Sequence, residues 1–289
     1  MYHNFEELLA LSLEQNVPLW KVILDNEKTL FGESEELIFE RLNERYEVML
    51  HSANAALKEE FHTFGGLIDG VSKTQYGYSS KEDSLCGSFL NLVMARALSS
   101  SEVNASMGKI CAAPTAGACG ILPAVLISVS EKYNLPRQKS LEGLLTASGV
   151  GAIITENATV SGAEGGCQAE CGTAAAMAAA ASAQMAGGSS EASVHGAAFA
   201  LMNCMGLVCD PVAGLVQVPC AQRNASQAIN AVLSADLALA GNRSIIPPDE
   251  VVEAMYRVGK MLPFELRETA LGGIAASPSA KKITKELFQ

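Results

Sequence analysis

Eight cysteines are the residues in this chain best suited to chemistry beyond packing: Cys86, Cys111, Cys119, Cys167, Cys171, Cys204, Cys209 and Cys220. Cys167 and Cys171, in GAEGGCQAECG, are spaced i, i+4, so on a helix both can face one site. No C-x2-C pair suggests structural zinc, and no ferredoxin-like run is present. From spacing alone, a metal site and a set of buried thiols fit equally well. Local context narrows the choice. Cys167 follows two glycines, Cys209 precedes Asp210-Pro211, and Cys220 follows Pro219. Each therefore lies at a turn or helix terminus, where backbone amides can stabilise a thiolate. Cys171 and Cys204 fall inside helical runs and read as packing. Three thiolates on a cubane iron-sulfur cluster would leave one iron open.

Other groups complete the inventory. PTAGACG, ahead of a helical run, offers the Thr115 hydroxyl and the amides of Ala116 and Gly117 to a carboxylate. Ser161 and Gly162, in the turn before Cys167, form a second candidate anion nest. Both turns serve equally well as tight connections between helices. Of the four histidines, His195 in SVHGAAFALM packs or caps on a helix, while His62 precedes Gly65-Gly66 and is the one candidate base. Lys73 and Lys109 lie near glycines but in no pyridoxal phosphate motif.

These residues need elements to hold them. The chain has 289 residues, 49% hydrophobic and 18% charged, enough for one sizeable core. We read it as a single helical catalytic domain: a scaffold over 1–60, a mobile glycine-rich connection over 61–81 and a cysteine-bearing portion over 82–289. Expected helices are Glu82–Leu98, Ile121–Tyr133, Ser140–Thr155, Gln168–Ala186, Ser190–Met205, Ala221–Leu239, Pro248–Met261 and Ala280–Leu287, with VGAIIT and GLVQVPC as short extended pieces. The fold class is all-α, an alanine- and glycine-rich helical domain whose site is built at helix termini and turns. The alanine run Ala174–Ala181 suits a buried central helix. A net charge of −11 argues against nucleic-acid partners. No window is long and apolar enough for a membrane span, and Glu6 and Glu7 stand where a secretory signal carries basic residues, so a cytoplasmic protein with reduced thiols is expected.

The segments NASMGKICAAPTAGACGILPAVL, TVSGAEGGCQAECG and MGLVCDPVAGLVQVPCAQRNA, with LGGIAASPSAKKI near the end, resemble the iron-sulfur-dependent L-serine dehydratases, specifically the alpha chain of the two-subunit form. Cys167, Cys209 and Cys220 stand 42 and 11 residues apart, the spacing of that family's three cluster cysteines. The resemblance implies that these three hold a [4Fe-4S] cluster whose open iron acts as a Lewis acid on the serine hydroxyl, giving pyruvate and ammonia. Some relatives carry Asn where Ala116 stands. A related lyase for threonine or cysteine, and a metal-binding structural or regulatory subunit, are the alternatives.

Single-chain relatives also carry a Ser-Ser-Ser-His-Thr signature, which this sequence lacks. The resemblance therefore implies a beta subunit that supplies the catalytic histidine. Dimerisation through the early helices is a further expectation. The chain ends KELFQ, without the terminal cysteine that in single-chain relatives reaches the open iron, so the reconstituted cluster should be oxygen-sensitive. Visible absorption before and after air exposure checks this: bleaching is expected, and an unchanged spectrum overturns it.

Overall fold

A computed structural model describes residues 1–288. The described residues form thirteen helices: α1 (Phe5–Gln15), α2 (Leu19–Phe31), α3 (Glu35–Ala55), α4 (Val71–Ser79), α5 (Gly87–Ala105), α6 (Ile121–Lys132), α7 (Arg137–Asn157), α8 (Gly162–Gly165), α9 (Thr173–Met185), α10 (Ser190–Cys204), α11 (Cys220–Leu239), α12 (Pro248–Met261) and α13 (Pro278–Phe288). Among the described residues the extended pairing amounts to one isolated parallel bridge between Cys209 and Arg267. The fold is all-α, as the sequence pattern indicates. Among the described residues no helix is long and apolar enough to cross a membrane.

Helix α9 is the axis of the molecule. Every residue from Thr173 to Ala183 is buried, and α6, α7, α10 and α11 pack around it. A helix that is apolar on all sides can only be a core helix, and alanine gives it a narrow cylinder that neighbours approach closely. The neighbours present glycine where the approach is tightest. A Cβ on Gly151 of α7 would lie 3.0 Å from Met177 Sδ, and one on Gly143 would lie 2.6 Å from Met185 Sδ.

Around this axis the helices start by ordinary rules. Asn4, Ser34 and Ser189 accept hydrogen bonds from the amides of Glu7, Leu37 and Ala192, capping α1, α3 and α10. Helix α6 buries Ile121 through Val129 entirely and forms a second apolar rod beside α9.

Three local expectations differ from the structure. VGAIIT (150–155) lies wholly inside α7, where Val150, Ile153 and Ile154 are buried at helical, not alternating, spacing. GLVQVPC forms no strand: it follows a 3-10 turn at Val212–Gly214, and the Val212 amide donates to Val218 O at 2.8 Å, closing the segment into a loop. The stretch 61–81 contains helix α4. Its start is tied down by the buried Glu102 carboxylate, which accepts from Ser72 N at 2.6 Å and Gly70 N at 3.3 Å. The first turn of a helix leaves amides free, and a carboxylate that takes two of them fixes it in place.

Another close approach is at the foot of α9, where a Cβ on Gly172 would sit 2.4 Å from Cys204 Sγ. Cys204, expected as a packing residue, fills the space beneath Gly172 and is 4% exposed. Gly172→Ala should therefore cost about 1–3 kcal/mol by overpacking. In urea denaturation, Gly172→Ala combined with Cys204→Ala should be less destabilised than the sum of the two single variants.

Candidate metal centre

The residues singled out in the sequence converge at the N-terminal end of α9. A π turn at Gln168–Gly172 leads directly into that helix. Such i→i+5 turns recur at functional sites because they rotate side chains out of the regular helical register. Cys167 precedes the π turn and Cys171 lies within it. The Cys167 sulfur is within hydrogen-bonding reach of the Cys171 and Cys209 thiols. Ligand atoms of Cys167, Glu170 and Cys209 lie within 4.8 Å of one another. Cys220, the first residue of α11, stays outside this trio, yet its thiol feels the charges of Cys167 and Glu170. All four cysteines are buried and none forms a disulfide.

Their electrostatics follow from sharing one negative charge. Hydrogen bonds from Cys171 and then Cys209 hold Cys167 well below the usual thiol range, against the opposing effect of burial and with help from Arg223. Cys171 and Cys209 are pushed up for the complementary reason, since each hydrogen-bonds to the Cys167 thiolate in a buried setting. Burial, then the Cys167 charge, pushes Cys220 up to about 12. The Glu170 carboxyl is pushed up to about 7 by burial and by Cys167, and Glu268 is raised by burial and by the same thiolate. By contrast Cys119 and Cys204 are raised to about 12 chiefly by burial, as packing thiols are.

The two candidate anion nests meet at Glu170. A Cβ on Gly117 would lie 3.3 Å from both carboxylate oxygens, and one on Gly162 would lie 2.7 Å from Oε2 and 3.2 Å from Cys209 Sγ. A side chain at Gly162 would clash with this carboxylate, and one at Gly117 would press against it. The Thr115 hydroxyl is buried without a hydrogen-bond partner, although it lies near enough to Glu170 to favour its charged form. Ser161 precedes α8 and accepts, through its carbonyl, the Glu164 and Gly165 amides. Thr115, Ala116, Gly117, Ser161 and Gly162 thus flank one carboxyl beside two thiols.

His62 does not join them. It is exposed, with Nδ1 3.2 Å from Asp69 Oδ2, and none of the charges felt by the thiols or by Glu170 comes from it. Its loop does touch the segment between Cys209 and Cys220, since Thr63 Oγ1 donates to Gln217 Oε1 at 3.1 Å and Gln217 Nε2 donates to Phe64 O at 2.6 Å. His195 accepts the Ser244 amide through Nδ1 at 3.2 Å, a contact between α10 and the loop before α12.

Several working residues escaped the reading of the sequence. Arg223, on the first turn of α11, donates to Val208 O at 2.8 Å and to Cys167 Sγ at 3.5 Å. It also pairs with Asp210 Oδ1 at 2.8 Å, off the ideal hydrogen-bond direction. Asn224 donates to Gly117 O and accepts from Gly120 N, fixing the turn that carries Thr115. Gln168 donates to Met255 O and accepts from Gly206 N, anchoring the Cys167 turn to α12. Asp210 Oδ2 also accepts the Ile274 amide at 2.6 Å. The signal was present, because Gln168, Asp210, Arg223 and Asn224 each stand within three or four residues of a cysteine at a turn.

The donor set suits a soft or borderline metal: thiols held at turns, one of them drawn well below the usual thiol range, with a carboxylate at the edge. The serine dehydratase alpha chain family matches residues 14–275. The chain belongs to that family. It is 48% identical to the L-serine dehydratase alpha chain of Peptoniphilus asaccharolyticus, over all of this chain and 99% of that protein. It is 42% identical to the probable L-serine dehydratase alpha chain of Bacillus subtilis, over all of this chain and 96% of that one. The L-serine dehydratase of Streptomyces coelicolor is 36% identical over 96% of this chain, but that match spans 61% of the longer protein. Members of this family thus occur both at the length of this chain and as part of a larger polypeptide.

Arg223 and Asp210 are 13% and 2% exposed, so removing one partner strands a buried charge. Arg223→Met should cost about 3–5 kcal/mol. Arg223→Met with Asp210→Asn should recover part of that loss in chemical denaturation. Full additivity of the two changes would show that the pair does not couple the segments.

Proposed function

We propose that this chain is the alpha subunit of an L-serine dehydratase, a lyase that converts L-serine to pyruvate and ammonia, with Cys167, Cys209 and Cys220 as ligands of a [4Fe-4S] cluster. The observation that carries this reading is the convergence of the Cys167, Glu170 and Cys209 ligand atoms within 4.8 Å of one another, beside two glycine turns that close on Glu170, in a chain of the serine dehydratase alpha chain family. The residues fit the cluster: soft sulfur donors are buried together and free of disulfides, and an unpartnered hydroxyl at Thr115 faces the same carboxylate. When bound, the cluster supplies a Lewis-acidic iron that makes the substrate hydroxyl a better leaving group.

The chain's own residues supply binding and proton handling. Thr115 Oγ1 and the first amides of the 3-10 turn Ala116–Ala118, which have no acceptor within that turn, receive the substrate carboxylate. Ser161 and Gly162 form the opposite wall. Glu170, with its protonation pushed toward neutrality, holds or releases a proton beside the substrate, and desolvation by the surrounding turns strengthens each of these contacts. Cys171 donates to the Cys167 thiolate and so positions a ligand. Asn224 holds the Thr115 turn at a fixed distance from the α11 ligand, Cys220.

His62 is exposed, so a histidine for Cα deprotonation comes from a beta subunit in this reading. The family names of the relatives as alpha chains support a divided enzyme. Threonine or cysteine as substrate would use the same groups and differ in the space left around the β-carbon.

Anaerobic reconstitution with iron and sulfide, followed by iron analysis, visible absorption and pyruvate formation from L-serine with the cognate beta subunit, tests the assignment. A brown protein that turns over serine is expected. Cys209→Ala should lose colour and at least about 100-fold in turnover, whereas a purely packing cysteine would cost about 1–2 kcal/mol of stability and leave turnover intact. Zinc uptake without turnover would instead favour a regulatory metal subunit.

A further inference from the structure

A second recess lies away from the thiols. A cavity of about 260 Å³ opens between α3, α7 and the segment leading to Pro114. Met49, Leu144 and Met177 give it an apolar floor, and Arg45, Ser148 and Cys111 bring polar groups to it. The wall formed by Cys111–Pro114 continues directly into Thr115, so the cavity and the proposed substrate turn share one stretch of backbone.

Arg45 is what sets this cavity apart. Of the chain's eight arginines, six hold a carboxylate within 4.0 Å: Arg41, Arg96, Arg137, Arg223, Arg243 and Arg257. Arg45 has no such partner among the described residues, in a chain with a net charge of −11. Its one hydrogen bond runs from Nη1 to Arg41 O at 3.1 Å, which leaves most of its fork free. The side chain lines the cavity together with Cys111 and is otherwise exposed to solvent.

We propose that this cavity is a second binding site, distinct from the thiol cluster, for a small aliphatic monocarboxylate whose carboxylate pairs with Arg45 and whose tail lies on the apolar floor. The volume accommodates roughly eight or nine non-hydrogen atoms at about 30 Å³ for each water-sized group. A single guanidinium matches a single carboxylate in a bidentate pair, and an apolar floor with few polar groups is the usual make-up of a small-molecule site. A phosphate or dicarboxylate is disfavoured. No second cation lines the cavity, and the adjoining recess, which shares Leu42, Arg45 and Ser148, carries Glu27 and Glu33.

The test uses the full chain and sodium 4-methylpentanoate as probe, with 4-methylpentan-1-ol as its uncharged counterpart. Calorimetric titration reads affinity, and N-ethylmaleimide labelling followed by peptide mass mapping reads protection of the half-buried Cys111, with exposed Cys86 as internal control. Saturable one-to-one binding of the acid at millimolar concentration is expected, slowing Cys111 labelling about fivefold or more while Cys86 is unaffected. Arg45→Met keeps the stem and should weaken binding about tenfold or more and remove the protection. Ser148→Phe, which narrows the cavity from α7 with Arg45 intact, should do the same. No saturable binding, equal binding by Arg45→Met, or equal binding of the alcohol would each overturn the proposal. Neither readout depends on the cluster or on serine turnover.

Discussion

One guanidinium joins the three segments that carry the site. Arg223 sits one turn after Cys220 on α11, reaches the Cys167 sulfur, and pairs with Asp210, the residue after Cys209. A cation held this far from water costs free energy unless its donors are satisfied, and here the acceptors come from two other segments, the Cys167 turn and the Val208–Asp210 stretch around Cys209. Arg223 meets its own need only if the turn before α9, the Cys209 turn and the start of α11 lie together. Its charge also favours the thiolate at Cys167. Asp210 extends the constraint outward, because its second oxygen holds the Ile274 amide and Gly273 passes close against it.

This arrangement needs a core that lets four helices crowd one axis. Alanine on α9 meets that need without adding polar groups or rotamer entropy. The consequence appears at the ends of the helices rather than along them. Where α9 begins, backbone replaces bulky side chains: Gly117 and Gly162 let turns close over Glu170, Gly172 makes room for Cys204, and Gly166 lets the Cys167 turn pass against Leu207 and Leu262. Gly166 at φ +74° and Gly273 at φ +59° take backbone conformations that other residues adopt only with strain. The same economy holds at Glu268, a non-glycine residue at φ +63° on the bridge beside Cys209, whose carboxylate faces the thiolate.

Much of this was legible in the sequence, and the missing parts share a cause. The all-α class and the buried α9 follow from local composition, since an alanine run flanked by apolar helices has one stable placement. The turn cysteines stood out because glycine and proline mark helix ends. What spacing could not show is which polar side chains cross between elements. Arg223, Asn224, Gln168 and Glu170 lie within helical or turn patterns and look like ordinary surface positions until the fold turns them inward. VGAIIT misleads for a related reason: short apolar runs have no periodicity of their own, and burial on α7 decides them. The stretch 61–81 was read as mobile from its glycines, yet Glu102, 21 residues beyond Lys81, is the residue that orders its helix.

The thiol cluster is also a frustrated arrangement of charge. One thiolate at Cys167 is solvated by two neighbouring thiols, and its charge makes Cys171, Cys209, Cys220, Glu170 and Glu268 harder to ionise. A metal that accepts several thiolates reverses this, since its positive charge replaces both the protons and the mutual repulsion. Metal binding there would therefore release protons and relax an electrostatic cost that the fold otherwise carries. Arg223 and the alanine core hold the Cys167 and Cys209 sulfurs close, so the free energy of such binding would go into ionising ligands already in place rather than into gathering them from separate segments.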